Sequence, residues 1–185
     1  MYALPLNPFI MNNKIVLDLD GVIADIDKAI DDALLARDID DYDYSNWLIT
    51  HHECDLSNEI MGNSLFWKNL QPFDDAWYQV NYWFSSGYDV YIVTARRTDA
   101  SISVTEKWLD EWRINTMPPI FAKMGEKHNV INDLDPLFVV EDNPNEVATL
   151  IEEGHKAYLR KAWYNLPYWD KLPTINRLSE LELND

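Results

Sequence analysis

The stretch KIVLDLDGV, Lys14 to Val22, runs from a short apolar segment into two aspartates and a glycine. A brief apolar run closed by a turn residue is the pattern of a buried strand, and glycine allows the chain to leave it in a tight loop. Lys14–Leu19 is therefore expected to be a strand, with Asp18 and Asp20 at its carboxyl end. From about Asp25 the pattern changes to a helical one, with Ile26, Ala29, Ile30, Ala33 and Leu34 on one face.

Further along, strands and helices alternate. Asp75–Ser85 reads as a helix with Ala76, Val80 and Trp83 or Phe84 on one side, ended by Gly87. Asp89–Thr94 is the next apolar strand, and Ser101–Trp112 a helix with Ile102, Thr105, Trp108, Leu109 and Trp112 in register. Pro119–Ala122 and Leu137–Val140 read as strands, His128–Leu134 and Asn145–Glu153 as helices, and His155–Leu159 as the last strand. Pro144 suits a first helical turn, and Gly154 the position after the last. Such alternation implies right-handed crossovers and a parallel sheet covered on both faces. Between about Arg37 and Gln71 the texture differs, rich in Asp, Asn, Trp, Tyr and His with weak periodicity, and is expected to form an inserted helical module.

The 185 residues, 47% hydrophobic, suffice for one core with a small insert. A single cysteine, Cys54, excludes an intramolecular disulfide and any thiolate cluster, which fits a reducing cytosol. The first residues lack the basic start and long apolar run of a signal peptide, and no segment is apolar enough to span a bilayer. A cytoplasmic protein without membrane partners is the expectation. The formal net charge of -17 repels polyanions, so long DNA or RNA is an unfavourable partner, while a small phosphorylated substrate is compatible once cations mask its charge.

In parallel sheets ligands bind beyond the carboxyl ends of the strands. Asp18, Asp20, Thr94, Glu141 and Asp142 all stand where an expected strand ends, so the fold can gather them into one crevice. Converging carboxylates repel one another unless a cation lies between them. With only oxygen ligands in these motifs, a hard ion such as Mg²⁺ is favoured. Such an ion would draw in a phosphate, leaving one carboxylate to attack phosphorus and another to move protons. His51 and His52 have no ligand spacing around them and read as surface residues, as does the acidic stretch Asp38–Asp43.

These motifs resemble those of the haloacid dehalogenase-like phosphatases over about residues 14–160. Ile15 to Val22 is similar to the first motif, Val90–Thr94 to the second, and Leu137–Asp142 to the fourth; the third is a lysine between them. The resemblance implies an α/β fold, a Rossmann-like parallel sheet flanked by helices, with a small helical cap inserted after the first strand. The core would comprise residues 1–24 and 72–185, and the cap residues 25–71. It also implies that Asp18 forms an aspartyl-phosphate and that Asp20 serves as general acid and then general base. Thr94 and nearby main-chain N–H groups, that of Ala95 among them, would hold phosphoryl oxygens. Mg²⁺ would sit on Asp18, the main-chain carbonyl of Asp20, and Asp142. Glu141, where the family often has aspartate, would orient the lysine or a metal-bound water. Two lysines compete for the third motif: Lys127, directly before an expected helix, is preferred to Lys123. Arg96 and Arg97 are candidate phosphate contacts, set against the reading that they are ordinary loop cations.

The insert carries Trp47, Phe66 and Trp67, whose flat faces suit a nucleobase or, equally, the cap's own core. The segment Phe66 to Ala76 is similar to the one before the second motif in 5'(3')-deoxyribonucleotidases, as is the tail with Trp163, Asn165 and Trp169. That likeness implies a nucleoside monophosphate as substrate. The rivals are a 3'-phosphatase of nucleic-acid ends, which should carry a basic approach for the strand, and a non-catalytic phosphate-binding module, which would be expected to lose Asp18 or Asp20. The eight Trp and ten Tyr leave room for an aromatic homodimer patch.

Overall fold

Every strand of the sheet is parallel to its neighbours, in the order β3-β2-β1-β4-β5-β6. The computed structural model describes residues 12–38, 59, 62–96 and 99–183. The elements are β1 (Lys14–Leu17), α1 (Ile26–Leu35), α2 (Ser64–Lys68), α3 (Asp74–Ser85), β2 (Asp89–Thr94), α4 (Asp99–Trp112) and β3 (Ile120–Phe121). They continue with α5 (Lys127–Leu134), β4 (Phe138–Glu141), α6 (Pro144–Glu152), β5 (Ala157–Arg160) and β6 (Thr174–Ile175). Two 3₁₀ turns, Trp163–Tyr168 and Leu178–Glu180, flank β6.

Alternating side chains build a core on each face of this sheet, as the two-residue period of a strand requires. Ile15, Leu17, Val90, Ile92, Phe138 and Val140 join the larger core with α1, α3 and α4. Val16, Val93, Val139 and Leu159 face the other way, onto Ile131 of α5 and Val147 and Leu150 of α6. The central strands are buried on both sides, which is why they read as continuous apolar runs rather than alternating ones.

The parallel α/β architecture expected from the sequence is present. Local details differ. β1 stops at Leu17: Asp18 keeps one bond to β4, and from Leu19 the chain follows the loop, Ile23 and Ala24 both donating to the Leu19 carbonyl. The chain does not end its sheet at β5. A two-residue strand, β6, adds to its outer edge through bonds from Leu159 and Lys161, and so short an edge has no periodicity to read. On α3 it is Trp83 that is buried, while Phe84 is exposed. On α4 the inward face carries Ser101, Thr105, Trp108 and Leu109, and Ile102 points out; the polar residues face inward because Arg96 lies beneath them.

The described parts of residues 25–71, expected to form an inserted cap, pack into the same core as the sheet. Ile26, Ile30 and Leu34 of α1 belong to it, as do Trp67 and Leu70. Trp108 of α4 donates its indole N–H to the carbonyl of Leu70 at 2.8 Å. Asp25 caps α1 by accepting from the Lys28 N–H, and the Asp25 N–H in turn donates to the Gln71 carbonyl, so these two positions are held side by side. Trp47, His51, His52, Cys54, Arg97 and the acidic residues 39–43 lie outside the described residues. Among the described residues no helix is long and apolar enough to cross a membrane.

Candidate active site

Asp18 leaves β1 with its N–H donating to the carbonyl of Val140 on β4, which sets the first motif beside the last. The register Leu17 opposite Ile92 and Leu17 opposite Val140 brings the ends of β2 and β4 to the same edge of the sheet. Asp18, Thr94, Lys127, Glu141 and Asp142 are all buried there.

At the centre is a buried charge cluster. Lys127, the first residue of α5, places Nζ 2.8 Å from Asp18 Oδ1 and 2.6 Å from Glu141 Oε1. Glu141 Oε2 accepts from the Asp142 N–H at 3.0 Å, so both its oxygens are engaged. Lys123 is exposed, paired with Glu126 and not with any of these groups. Burial alone would depress the Lys127 ammonium, but the charges of Asp18 and Glu141 outweigh it and raise Lys127 above its ordinary value. Lys127 is therefore a fixed positive charge. Burial, and next the charge of Glu141, push Asp18 well above the usual carboxylate range, against the pull of Lys127. Asp142 is pushed up to about 7, by burial first and then by Asp18.

Asp142 is held from behind by residues of the 3₁₀ turn after β5. The Tyr164 hydroxyl donates to Asp142 Oδ2, and Asn165 Nδ2 donates to the carbonyls of Asp142 and Arg160, each at 2.9 Å. Trp169 fixes Asn165 by donating to its side-chain oxygen at 2.8 Å. Asn165 and Trp169 stood in the tail singled out by resemblance; Tyr164 carried no signal, because nothing in its spacing ties it to a motif. Gly21, at φ +77°, passes so close to this pair that a β-carbon would lie 2.7 Å from Asp142 Cγ and 2.9 Å from Tyr164 Oη. Asp27, on the first turn of α1, is a further acidic neighbour whose charge bears on both Asp142 and Tyr164. Its Oδ1 is fully enclosed without a hydrogen-bond partner.

Three carboxylates, of Asp18, Glu141 and Asp142, offer ligand atoms within 4.8 Å of one another. With all three ionised, the cluster would carry more negative charge than Lys127 offsets, which is why each carboxylate is pushed towards its protonated form. Asp18 Oδ1 is ion-paired with Lys127 but off the direction of a hydrogen bond, and so remains a buried oxygen without one. An all-oxygen donor set with such an orphaned atom fits a hard dication. Both oxygens of Glu141 are engaged, by Lys127 and by the Asp142 N–H, whereas Lys127 meets one oxygen of Asp18 and Tyr164 one oxygen of Asp142.

The remaining candidates are placed as follows. Asp20 does not join the cluster; its carboxylate accepts from Arg96 Nε at 2.9 Å and Nη2 at 2.7 Å. Arg96 is buried, so its guanidinium is turned to Asp20 rather than left open as a phosphate contact. Thr94 Oγ1 accepts from the Arg96 N–H at 3.4 Å, and Ala95 is half-buried between them. Trp67 is buried with the Arg96 guanidinium 4.6 Å from its ring centroid, an arrangement in which the ring serves the protein's own packing. Phe66 meets Trp67 edge-on and lines a cavity of about 320 Å³ between α1 and α2, bordered also by Asp25, Lys28, Asp32 and Arg37.

No protein-family model and no curated protein matches this sequence. Solved structures do. The HAD-hydrolase YfnB of Bacillus subtilis, bound to magnesium, superposes with a TM-score of 0.59 at 15% identity, over 91% of this chain and 96% of that one. A D,D-heptose 1,7-bisphosphate phosphatase from B. bronchiseptica, complexed with magnesium and phosphate, gives 0.57 at 10% identity, over 90% and 94%. A haloacid dehalogenase-like hydrolase from Streptococcus pneumoniae gives 0.54 at 15%, over 91% and 96%. At these identities the likeness is one of fold: the chain has the α/β fold of the haloacid dehalogenase-like hydrolases.

Proposed function

We propose that this protein is a Mg²⁺-dependent phosphomonoesterase with Asp18 as nucleophile and nucleoside monophosphates as substrates. The observation that carries the reading is the buried cluster of Asp18, Lys127, Glu141 and Asp142 at the carboxyl ends of β1 and β4. Buried carboxylates are costly to ionise, and their convergence around a charged lysine is the arrangement expected where a cation and a phosphate are both to be bound.

The steps follow from the residues. Asp18 attacks phosphorus with a carboxylate oxygen, forming an O–P bond as the ester P–O bond breaks. Asp20 gives a proton to the departing oxygen. It then takes one from a water that attacks the aspartyl-phosphate, releasing inorganic phosphate and restoring Asp18. Lys127 orients Asp18 and offers charge to the phosphoryl oxygens, and the Thr94 hydroxyl with the Ala95 N–H completes their cradle. Asp18, the Asp20 carbonyl and Asp142 would hold Mg²⁺, which when bound supplies the charge that lets a phosphate dianion approach these carboxylates. The nucleotide assignment is supported by the Phe66–Ala76 segment and the half-buried Phe66 ring, while the net charge of -17 disfavours a polynucleotide substrate.

The test is phosphate release from deoxy- and ribonucleoside 5'- and 3'-monophosphates, with Mg²⁺ or EDTA, by wild type and Asp18→Asn. Turnover of nucleotides that is lost with EDTA and falls roughly a thousandfold or more in Asp18→Asn is the expected result. Cleavage of generic esters alone would remove the nucleotide assignment and keep the phosphatase. Activity surviving in Asp18→Asn would remove the nucleophile.

A further inference from the structure

All three guanidinium nitrogens of Arg96 are committed. Nε and Nη2 hold both carboxylate oxygens of Asp20, at 2.9 and 2.7 Å, and Nη1 donates to Thr105 Oγ1 at 2.9 Å. Thr105 is itself fixed by donating to the Ser101 carbonyl at 2.7 Å. The face of the guanidinium lies 4.6 Å from the Trp67 ring centroid. The Arg96 side chain is 1% exposed and that of Asp20 is 19% exposed. Arg96 is thus anchored by Thr105 of α4 and by Trp67, and Asp20, on the loop after β1, is the more exposed partner.

A buried guanidinium needs a counter-charge, and many carboxylates could serve as one. Here the partner is the carboxylate assigned to proton transfer, and a two-pronged Arg–carboxylate pair also fixes orientation. Each Asp20 oxygen accepts one arginine N–H and keeps a second lone pair, so the carboxylate can carry a proton while the pair fixes the direction in which it is offered.

We propose that Arg96 is a positioning residue for Asp20: anchored by Thr105 and by Trp67, it holds the proton-transfer carboxylate in one orientation, with a lone pair on each oxygen left for the proton. The expected cap, residues 25–71, is thereby tied to the acid–base step through one aromatic ring. This inference rests on the phosphatase reading above and adds the residue through which Asp20 is controlled.

The experiment compares kcat/KM for β-glycerophosphate, whose alkoxide leaving group needs a proton, with that for p-nitrophenyl phosphate, whose leaving group does not. Both esters are measured with Mg²⁺ in wild type, Arg96→Gln, Thr105→Val, Trp67→Leu and Asp20→Asn, and folding is checked by circular dichroism. General acid catalysis contributes about 10²–10⁴. In Arg96→Gln the alkyl-to-aryl ratio is expected to fall roughly tenfold or more, a fraction of that contribution. Thr105→Val and Trp67→Leu should lower the ratio by smaller factors, and they carry the test if Arg96→Gln does not fold. Adding Arg96→Gln to Asp20→Asn should lower the ratio no further, since the group it positions is gone. If both esters slow by the same factor while wild type is active, Arg96 is only a structural ion pair and the proposal is overturned with the phosphatase reading intact. If wild type cleaves neither ester, a nucleoside monophosphate takes their place: Arg96→Gln should then lower its kcat/KM in wild type but not in Asp20→Asn, and an equal loss in both overturns the proposal. If the nucleotide is not cleaved either, the phosphatase reading falls and takes this proposal with it.

Discussion

Asp142 shows how much of this site is decided by single contacts. Its Oδ2 receives the Tyr164 hydroxyl, its carbonyl receives Asn165, and Gly21 leaves the space in which Asp142 and Tyr164 meet. Partners that orient a metal ligand typically change affinity by 10–100-fold when removed. Tyr164→Phe is therefore expected to weaken Mg²⁺ binding by about tenfold, read by isothermal titration, with the fold retained. Gly21→Ala is the harsher change. Its side chain would meet the Asp142 carboxylate at a backbone angle, φ +77°, that alanine adopts poorly. Mg²⁺ affinity and thermal stability should both drop in that variant; a Gly21→Ala protein with wild-type titration and melting curves would contradict this account of the loop.

Between elements, a two-pronged ion pair joins α3 to β5. Arg160 donates to both oxygens of Asp75, at 3.1 and 2.7 Å, and its guanidinium lies 4.2 Å from the Phe73 ring centroid. Asp75 Oδ2 also accepts from the Leu178 N–H at 2.9 Å, bringing in the second 3₁₀ turn. Removing one partner of a buried pair strands the other, at a cost of about 3–5 kcal/mol. Asp75→Asn should thus lower unfolding free energy by several kcal/mol in urea titrations, and Asp75→Leu with Arg160→Met should recover part of it. A loss under about 0.5 kcal/mol would mean that the pair is solvated as surface pairs are.

For the molecule as a whole, the buried carboxylates couple stability to pH and to metal. Asp142 is raised from 3.8 to about 7, by burial and then by Asp18, and Asp27 likewise to about 7, by burial and then by Asp25 and Asp31. Both bind a proton more tightly in the folded than in the unfolded chain. The stability this provides is complete below the unfolded value near 4 and is lost as pH rises through 7. Metal-free protein should accordingly melt several degrees lower at pH 8 than at pH 6. Mg²⁺ should raise the melting temperature more at pH 8, where its ligands are deprotonated, than at pH 6. Differential scanning calorimetry with EDTA or Mg²⁺ checks both, and a midpoint that rises from pH 6 to pH 8 without metal would refute the linkage.

What local pattern could determine, the sequence determined. The apolar runs read at 14–19, 89–94 and 137–140 each meet a strand, at 14–17, 89–94 and 138–141. Helices between strands imply a parallel sheet, and a parallel sheet delivers Asp18, Thr94, Glu141 and Asp142 to one edge because every strand ends there. Contacts that depend on distance through space were left to the tertiary structure. It set Lys127, the lysine already preferred from the sequence, against the Asp18 carboxylate and left Lys123 exposed beside Glu126. It turned Arg96 onto Asp20 and Trp67 onto Arg96, a meeting of three segments far apart in the chain. It also brought Tyr164 behind Asp142 and added β6, whose two residues are too few to display a period. The physical division is that periodicity and turn chemistry are encoded over a few neighbouring residues, whereas a buried charge finds its partner only after the chain has packed.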